Sequence, residues 1–448
     1  MGNADVYQVS GELNFVNQIN QKMYTYAREF KNFYVNDLNY QSSWYGLERW
    51  FDNTKWYMYK YPFAIDAIPL VCHNIANIIK SIFGKNHKAL ALDLDNTLWG
   101  GTIGDDGIEG IKLGTETAEG MAYEDIQKYF KKLSHLGIAL NVCSKNEIST
   151  AKNGFKHPFS RLDEDDFIIF KSNWKNKDQN IREIATEINI SEESIVFVDD
   201  NPVEREFVKK SIPQLAIPVL GKTESYIKTL DQSGFFETTI LSADDRKRNI
   251  YYKNNILRKS SIDQFEDYTE YLKSLKMVCT IDRFNSKHIE RIVQLINKTN
   301  QFNLTTIRFT TEEVLQNIKN SNVFSLCANL KDKYGENGIV SCLMASTIGE
   351  VMNIDVWVMS CRVFKRDLEK AIFDEMVEHC KRNGIRKIRG IYYRTMKNQF
   401  VESLYPSLGF EMIEKDEKHG IWLYKIPEQY TLLNQVMEVV CNEKKRYI

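Results

Sequence analysis

The run Ala89-Leu90-Ala91-Leu92, continued by Asp93-Leu94-Asp95-Asn96-Thr97, constrains this chain more than any other stretch. Consecutive apolar residues without polar alternation suit a strand covered on both faces, and such strands belong to parallel sheets flanked by helices. In open α/β sheets the ligand sits beyond the carboxyl ends of the strands, so Asp93 and Asp95 are expected at a strand tip. Two carboxylates that close repel unless a cation lies between them, which points to a hard divalent ion, Mg2+. The alternative is a strand followed by an aspartate-rich turn without chemistry.

Three further segments end apolar runs in polar residues. Ile138 to Cys143 leads into Ser144-Lys145-Asn146. Phe167 to Phe170 precedes Asn173-Trp174-Lys175-Asn176-Lys177 and a helical pattern at Ile181, Ile184, Ala185 and Ile188. Ser194 to Val198 ends in Asp199-Asp200-Asn201-Pro202-Val203-Glu204. Strands alternating with helices predict a doubly wound parallel sheet whose tips converge on one edge.

That set, in that order, resembles the haloacid dehalogenase (HAD) superfamily of phosphotransferases, with DLDNT, CSKN, NWKNK and VFVDDNPVE as the four motifs. The resemblance implies Asp93 as the nucleophile that takes a phosphoryl group and Asp95 as general acid/base. It further implies that Ser144 donates to a phosphoryl oxygen, that Lys175 neutralises charge in preference to Lys177, and that Asp200 holds Mg2+ together with Asp93 and the Asp95 carbonyl. Asp199 is a further candidate metal ligand, and Asn96, Thr97, Lys145 and Lys177 are further candidates for substrate contact. Lys177 and Asp199 also have a plain reading as solvated neighbours at a helix start.

The words around the first motif, LWGGTIGDDG and GIKLG, with NVCSKN, FVDDNPVERE, NQFNLT and WVMSCR, closely resemble the FkbH-like branch of that superfamily. The resemblance implies a phosphatase and glyceryl transferase that takes a glyceryl unit from 1,3-bisphosphoglycerate, releases phosphate and loads the acyl group on an acyl carrier protein. A large substrate suits the sequence, because the segments after Thr97 and after Ser144 have room for a flap but not for a folded cap. An arm of a carrier protein can fill an open cleft, whereas small metabolites usually need a lid to exclude water. The alternatives are a capless phosphatase acting on another phosphorylated substrate, and an acyltransferase whose HAD-like half is vestigial.

Holding an acyl group as a thioester needs a thiol. Cys143, next to Ser144, is the first candidate, with Lys145, the metal and a helix N-terminus to favour the thiolate, and Cys361 is the second. The competing reading makes Cys143 a small core residue, its side chain turned from Ser144 by strand alternation. The chain has eight cysteines without C-x-x-C or metal-ligand spacing, which predicts free thiols in a reducing cytoplasm.

The 448 residues, with a net charge of -1, give no general drive toward nucleic acid or membranes, and no apolar run reaches membrane length. The start of the sequence lacks a basic n-region with an apolar core, so a cytoplasmic location is expected. Residues 1–85 read as a helical, aromatic-rich segment resembling the tail of an SGNH-hydrolase-like domain without its nucleophile block. Residues 86–225 read as the HAD-like domain without a large cap, 226–275 as a helical connector, and 276–448 as an α+β domain resembling the GNAT acetyltransferase fold. In that fold a glycine-rich turn after the long strand cradles the coenzyme A pyrophosphate. This chain has Lys365 and Asp367 there, so Lys365 and Arg366 become candidates for holding the phosphopantetheine phosphate of a carrier instead. Leu432 to Val440 is expected to form an amphipathic helix before a basic tail.

Overall fold

The computed structural model describes residues 2–30, 32–239 and 241–441. It divides into two compact units, Met1–Phe83 with Glu237–Ile240, and Gly84–Phe236 with Leu241–Ile448. The first is helical, with main helices Glu12–Glu29, Leu38–Tyr45, Asn53–Tyr59 and Ile68–Ile82. Asp37 and Asp52 start two of these by accepting the Tyr40 and Lys55 amides at 2.9 and 3.1 Å. That capping satisfies donors that the first helical turn leaves unpaired. The clustered aromatic residues pack on one another, Trp50 against Phe63 and Tyr26 against Phe30.

The second unit opens with four parallel strands, β1 (Ala89–Leu92), β2 (Ala139–Ser144), β3 (Phe167–Ser172) and β4 (Ile195–Val198), in the spatial order β3-β2-β1-β4. Their two faces fill separate apolar layers. Leu90, Leu92, Val142, Val196 and Val198 pack with Ile126 and Phe130 of helix Ala118–His135. Ala89, Ala91, Ala139, Cys143, Ile195 and Phe197 pack with Ile181, Ile184 and Ile188 of helix Lys177–Ile188. The period of two along a strand thus assigns alternate residues to opposite layers, and the continuous apolar runs reflect cover on both sides. At the two places where a cap could be inserted there is one short α-helix each, Ile103–Gly110 after β1 and Ile148–Gly154 after β2. A single bridge between Gly100 and Lys112 closes the first into a flap.

The connector helix Arg248–Ser260 leads into a second, nine-stranded sheet. Its strands are β5 (Met277–Asp282), β6 (Phe302–Asn303), β7 (Val323–Asp332), β8 (Gly335–Ile348), β9 (Val351–Met359), β10 (Lys387–Tyr393), β11 (Glu411–Lys415), β12 (His419–Lys425) and β13 (Met437–Cys441). The main path runs β11-β12-β10-β9-β8-β7-β5-β13, and β6 pairs with β9. Helix Leu368–Arg382 packs its Ile372, Phe373 and Met376 into the largest apolar cluster, completing an α+β arrangement. β9 and β10 pair only between Val351–Asn353 and Lys387–Arg389. Beyond that, β6 bonds to Val358 and Met359, and the Asn398 amide donates to the Asn303 carbonyl at 2.9 Å, so this segment closes the gap between the diverging strands. No helix among the described residues is long and apolar enough to cross a membrane.

The expected helix over Leu432 to Val440 is corrected. Met437 to Cys441 lies as β13, parallel to Met277 to Ile281 of β5. An edge strand offers a row of unpaired backbone groups, and the β-branched pair Val439-Val440 suits that pairing better than a helix. The Asp374 carboxylate directs the chain there by accepting the Leu433 and Asn434 amides at 2.9 and 2.8 Å. The basic tail that follows Cys441 lies outside the described residues.

Candidate active site

The tips of β1, β2 and β4 converge as a doubly wound sheet requires. Asp93 follows β1 directly, its amide donating to the Val198 carbonyl at 2.9 Å, which locks the first aspartate to the strand that delivers Asp199 and Asp200. One carboxylate oxygen from each of Asp93, Asp199 and Asp200 lies within 4.8 Å of the others. The Thr97 hydroxyl accepts the Asp200 amide at 3.3 Å and Asp199 accepts the Asn201 amide at 2.8 Å, so both acidic residues are pinned through the backbone. The Arg205 guanidinium donates to the Asp199 carbonyl at 2.8 Å and to the Asp200 carbonyl.

Lys177 completes the cluster. Its ammonium lies 2.9 Å from Asp93 and 2.5 Å from Asp199, with its side chain 3% exposed. The two carboxylates hold it well above the usual lysine range despite burial. Asp199 is pushed up to about 6, first by burial and then by the Asp93 charge, and Asp200 is raised for the same two reasons. Three carboxylates facing one lysine leave excess negative charge on hard oxygen donors, the set that suits a small divalent cation.

The preference for Lys175 is corrected. Lys175 pairs with Glu183 at 2.7 Å on the outside of helix Lys177–Ile188, where its side chain is 55% exposed. Lys177, the first residue of that helix, is the one directed beneath the strand tips. Spacing counted back from Ile181 could not separate two lysines two residues apart, because the turn before the helix decides which one points inward.

Asp95 is held away from the carboxylate cluster. One oxygen accepts the Trp99 indole N–H at 2.9 Å and the Ile103 amide at 3.0 Å, and the other accepts the Asn146 side-chain amide at 2.8 Å. Asn146 also donates to the Ser144 hydroxyl at 3.3 Å, tying the tips of β1 and β2 together. Trp99 and Asn146 were missed by the sequence reading, although both sit inside the motif strings. An indole four residues after an aspartate is a signal only once the turn that folds it back is known.

Asn96 and Thr97, expected to meet substrate, instead shape the turn. Asn96 adopts a left-handed conformation with φ of 53°, and its side chain accepts the Gly101 amide at 2.9 Å. Its carbonyl accepts the Tyr123 and Tyr226 hydroxyls at 3.1 and 3.3 Å. Ser144 lies buried at the tip of β2, and Lys145 stands at the rim, 2.6 Å from Glu204.

The reading of Cys143 as an activated thiol is corrected too. Its side chain is fully buried in the layer beneath helix Lys177–Ile188, its thiol donates to the Lys177 carbonyl at 3.6 Å, and burial raises it far above the usual thiol range. Strand alternation puts Cys143 and Ser144 on opposite sides of β2. Cys361, the second candidate, is partly exposed and donates to the Asn189 carbonyl at 3.5 Å, at the other end of the first sheet.

Arg366 does not offer a free guanidinium to a phosphate. It is buried, 3.1 Å from Asp332 and 2.9 Å from the Asn255 carboxamide, beside the pair formed by Arg258 and Asp332. Lys365 and Asp367 do adopt left-handed φ of 62° and 59°, the backbone that glycine would favour in that turn.

No protein-family model and no curated protein matches the chain. Among solved structures, the N-terminal part of the protein BF1531 from Bacteroides fragilis, described as containing a phosphatase domain and complexed with Mg, is similar at 36% identity and a TM-score of 0.51. The similarity covers 53% of this chain and 64% of that one, so the chain spans less than two thirds of its length. The ribosomal-protein-S18-alanine N-acetyltransferase from Escherichia coli is 10% identical over 35% of this chain and 99% of that one, with a TM-score of 0.27. The PaiA N-acetyltransferase from Thermoplasma acidophilum, in complex with coenzyme A, is 15% identical over 33% of this chain and 98% of that one, also with a TM-score of 0.27. Nothing about this chain's chemistry rests on the two acetyltransferases.

Proposed function

We propose that this chain is a Mg2+-dependent phosphatase and acyltransferase of the FkbH-like kind, which takes the glyceryl group of 1,3-bisphosphoglycerate, releases phosphate and loads the acyl group on the phosphopantetheine arm of an acyl carrier protein in the cytoplasm. The observation that carries the phosphatase part is the Asp93, Asp199 and Asp200 cluster around Lys177 at the strand tips. The cluster fits Mg2+, which when bound would be held by these three carboxylates and would neutralise charge on phosphoryl oxygens.

The chain's own residues divide the work as follows. Asp93 attacks phosphorus, forming an aspartyl phosphate, while Lys177 and the Ser144 hydroxyl meet the equatorial oxygens. Asp95 gives a proton to the departing alkoxide and then takes one from the water that hydrolyses the aspartyl phosphate. Trp99, Asn146 and the Ile103 amide keep it oriented for both steps.

Attack of Asp93 on the acyl phosphate itself would release a free carboxylate and discard the activated acyl group. The balanced route has two parts. The carrier thiol attacks the carbonyl carbon and expels inorganic phosphate, and the aspartate machinery removes the other phosphate, a monoester whose leaving oxygen needs the Asp95 proton. Since Cys143 is buried, the acceptor thiol belongs to the carrier. The test is intact mass spectrometry of a candidate carrier, with a phosphate assay, after exposure to the protein, Mg2+ and 1,3-bisphosphoglycerate. A glyceryl adduct with two phosphates released per adduct is expected. Phosphate release without an adduct leaves a capless phosphatase and overturns the acyl-transfer half.

A further inference from the structure

The second sheet has a recess of its own, where the hairpin of β11 and β12 lies beside the end of β10. It encloses an open space of about 290 Å³, at the low end of the range for small-molecule sites. Its buried lining is Tyr392, Gly420 and Trp422. Tyr392 and Gly420 face each other across β10 and β12, and Trp422 shares the face of Gly420, since alternate residues of a strand do.

Trp422 gives this base a hydrogen-bond donor with nothing to bond. The residue is 6% exposed, and its indole N–H is buried without an acceptor among the described residues. A buried tryptophan usually sets that N–H on a partner, because a donor taken out of water unpaired costs stability. A side chain at Gly420 would begin 3.2 Å from the indole nitrogen, so glycine keeps the space in front of the donor open. β11 carries a bulge between Met412 and Glu414, opposite Trp422 and Ile421, a device that re-aims side chains beside binding sites. The charges at the mouth do not cancel. The Glu402 carboxylate is 2.8 Å from the Lys415 ammonium, and Asp416 is 2.6 Å from the His419 ring and accepts the Lys418 and His419 amides. The Arg394 amide donates to the Lys418 carbonyl at 2.8 Å, which holds both residues at the same rim. Among the described residues, neither of their cationic groups has an ion-pair partner. Glu417 is the single unpaired carboxylate of the lining, so two cations face one anion.

We propose that this recess binds the carboxylate of a small organic acid, with the Trp422 indole N–H donating to it from the base and the Arg394 guanidinium from the rim. The planar fork of an arginine matches a carboxylate, and the Tyr392 and Trp422 rings cover a short apolar body. A tetrahedral phosphate would bury oxygens that one indole donor cannot satisfy. The site shares no residue with the Asp93, Asp199 and Asp200 cluster and does not rest on the phosphatase reading.

The test is nuclear magnetic resonance of the full chain labelled with nitrogen-15 at its seven tryptophans, with Trp422→Phe identifying the Trp422 indole signal. Sodium propionate is the probe, inorganic phosphate the tetrahedral arm and sodium chloride of equal ionic strength the control. Propionate is expected to move the Trp422 signal downfield and saturably, and phosphate and chloride to leave it in place. Arg394→Gln should weaken propionate by about fivefold, since it removes a charge-assisted donor. Gly420→Ala should abolish the shift by filling the space before the indole. Arg394 is exposed and outside the packed core, so its variant carries the test even where Gly420→Ala lowers stability. No saturable shift in the wild type, an equal shift with chloride or phosphate, or undiminished propionate binding in Arg394→Gln or in folded Gly420→Ala overturns the proposal.

Discussion

Replacing Lys177 by methionine keeps most of the stem volume and removes the one charge that separates Asp93 from Asp199. The ammonium is 2.9 and 2.5 Å from those carboxylates and 3% exposed, so neither water nor a neighbour can replace it. Removing one partner of a buried ion pair costs about 3–5 kcal/mol. At about 2–4 °C per kcal/mol for a domain of this size, the melting temperature without metal should fall by about 6–20 °C. Mg2+ should restore much of that loss, because a cation on the three carboxylates replaces the missing positive charge. Phosphate release should fall by about 10²–10³, the usual consequence of deleting one preorganised charge-stabilising donor.

Lys175→Met is the matched control. Its pair with Glu183 is exposed on both sides and is worth at most about 1 kcal/mol, so melting should move by no more than a few degrees and turnover should stay within about twofold. Differential scanning calorimetry with and without Mg2+, followed by a phosphate assay, reads both variants. Turnover lost in Lys175→Met and kept in Lys177→Met would refute the assignment, and a Lys177→Met protein indifferent to Mg2+ in its melting would refute the carboxylate cluster as the metal site.

Asp93→Asn should abolish phosphate release in a folded protein, because the amide keeps the shape but loses the attacking charge; circular dichroism and a phosphate assay check both halves. Asp95→Asn should slow hydrolysis of a phosphomonoester more than that of an acyl phosphate, whose carboxylate leaving group scarcely needs a proton, and equal losses on the two substrates would count against the acid role. Cys143→Ala should lower stability by about 1–2 kcal/mol through lost packing and leave phosphate release and carrier loading intact, so a variant that folds but fails to load would reinstate the thiol. The folded pKa of Lys298, about 8, lies below its unfolded value of about 10.4, so between those pH values the unfolded chain binds the extra proton and stability rises with pH. Denaturant titrations across that window should show the gain in the wild type and a smaller one in Lys298→Met.

How far the sequence disclosed this molecule depends on which period carried the information. The four parallel strands were legible because both faces are covered and the apolar runs are continuous, and the helix through Ile181, Ile184 and Ile188 because its buried stripe repeats at helical spacing. Asp93, Asp199 and Asp200 were legible as strand-tip residues for the same reason. Side-chain direction was not. Lys177 rather than Lys175, the inward turn of Cys143 and the return of Trp99 onto Asp95 depend on turns of two or three residues whose backbone no periodicity reports. The terminal strand was misread as a helix because Leu432 to Val440 carries both spacings, and the open edge of β5 decided between them.

The placement of the two sheets bears directly on how an acyl group could reach its acceptor. The carboxylate cluster lies beyond the C-terminal ends of β1 and β4, whereas the second sheet meets the first at the opposite end. There the Asn189 side chain donates to the Cys361 carbonyl at 2.8 Å and Lys397 pairs with Glu193, just before β4. A four-residue strand at about 3.3 Å per residue already separates these ends by about 13 Å before the loops are added. The turn at Lys365–Asp367 in the second half is meanwhile held by the Arg366, Asp332 and Asn255 contacts, and the gap between β9 and β10 is closed by Phe302 and Asn303. A hand-off through that half would need both contacts to open and the arm to pass the sheet. A carrier arm entering from solvent at the flap, between helices Ile103–Gly110 and Ile148–Gly154, needs neither. Charge reversal of Lys365, exposed and remote from the flap, should therefore leave carrier loading unchanged, while Lys145→Glu at the rim should slow it by repelling an acidic carrier; the opposite pattern in a loading assay would place the arm on the second sheet.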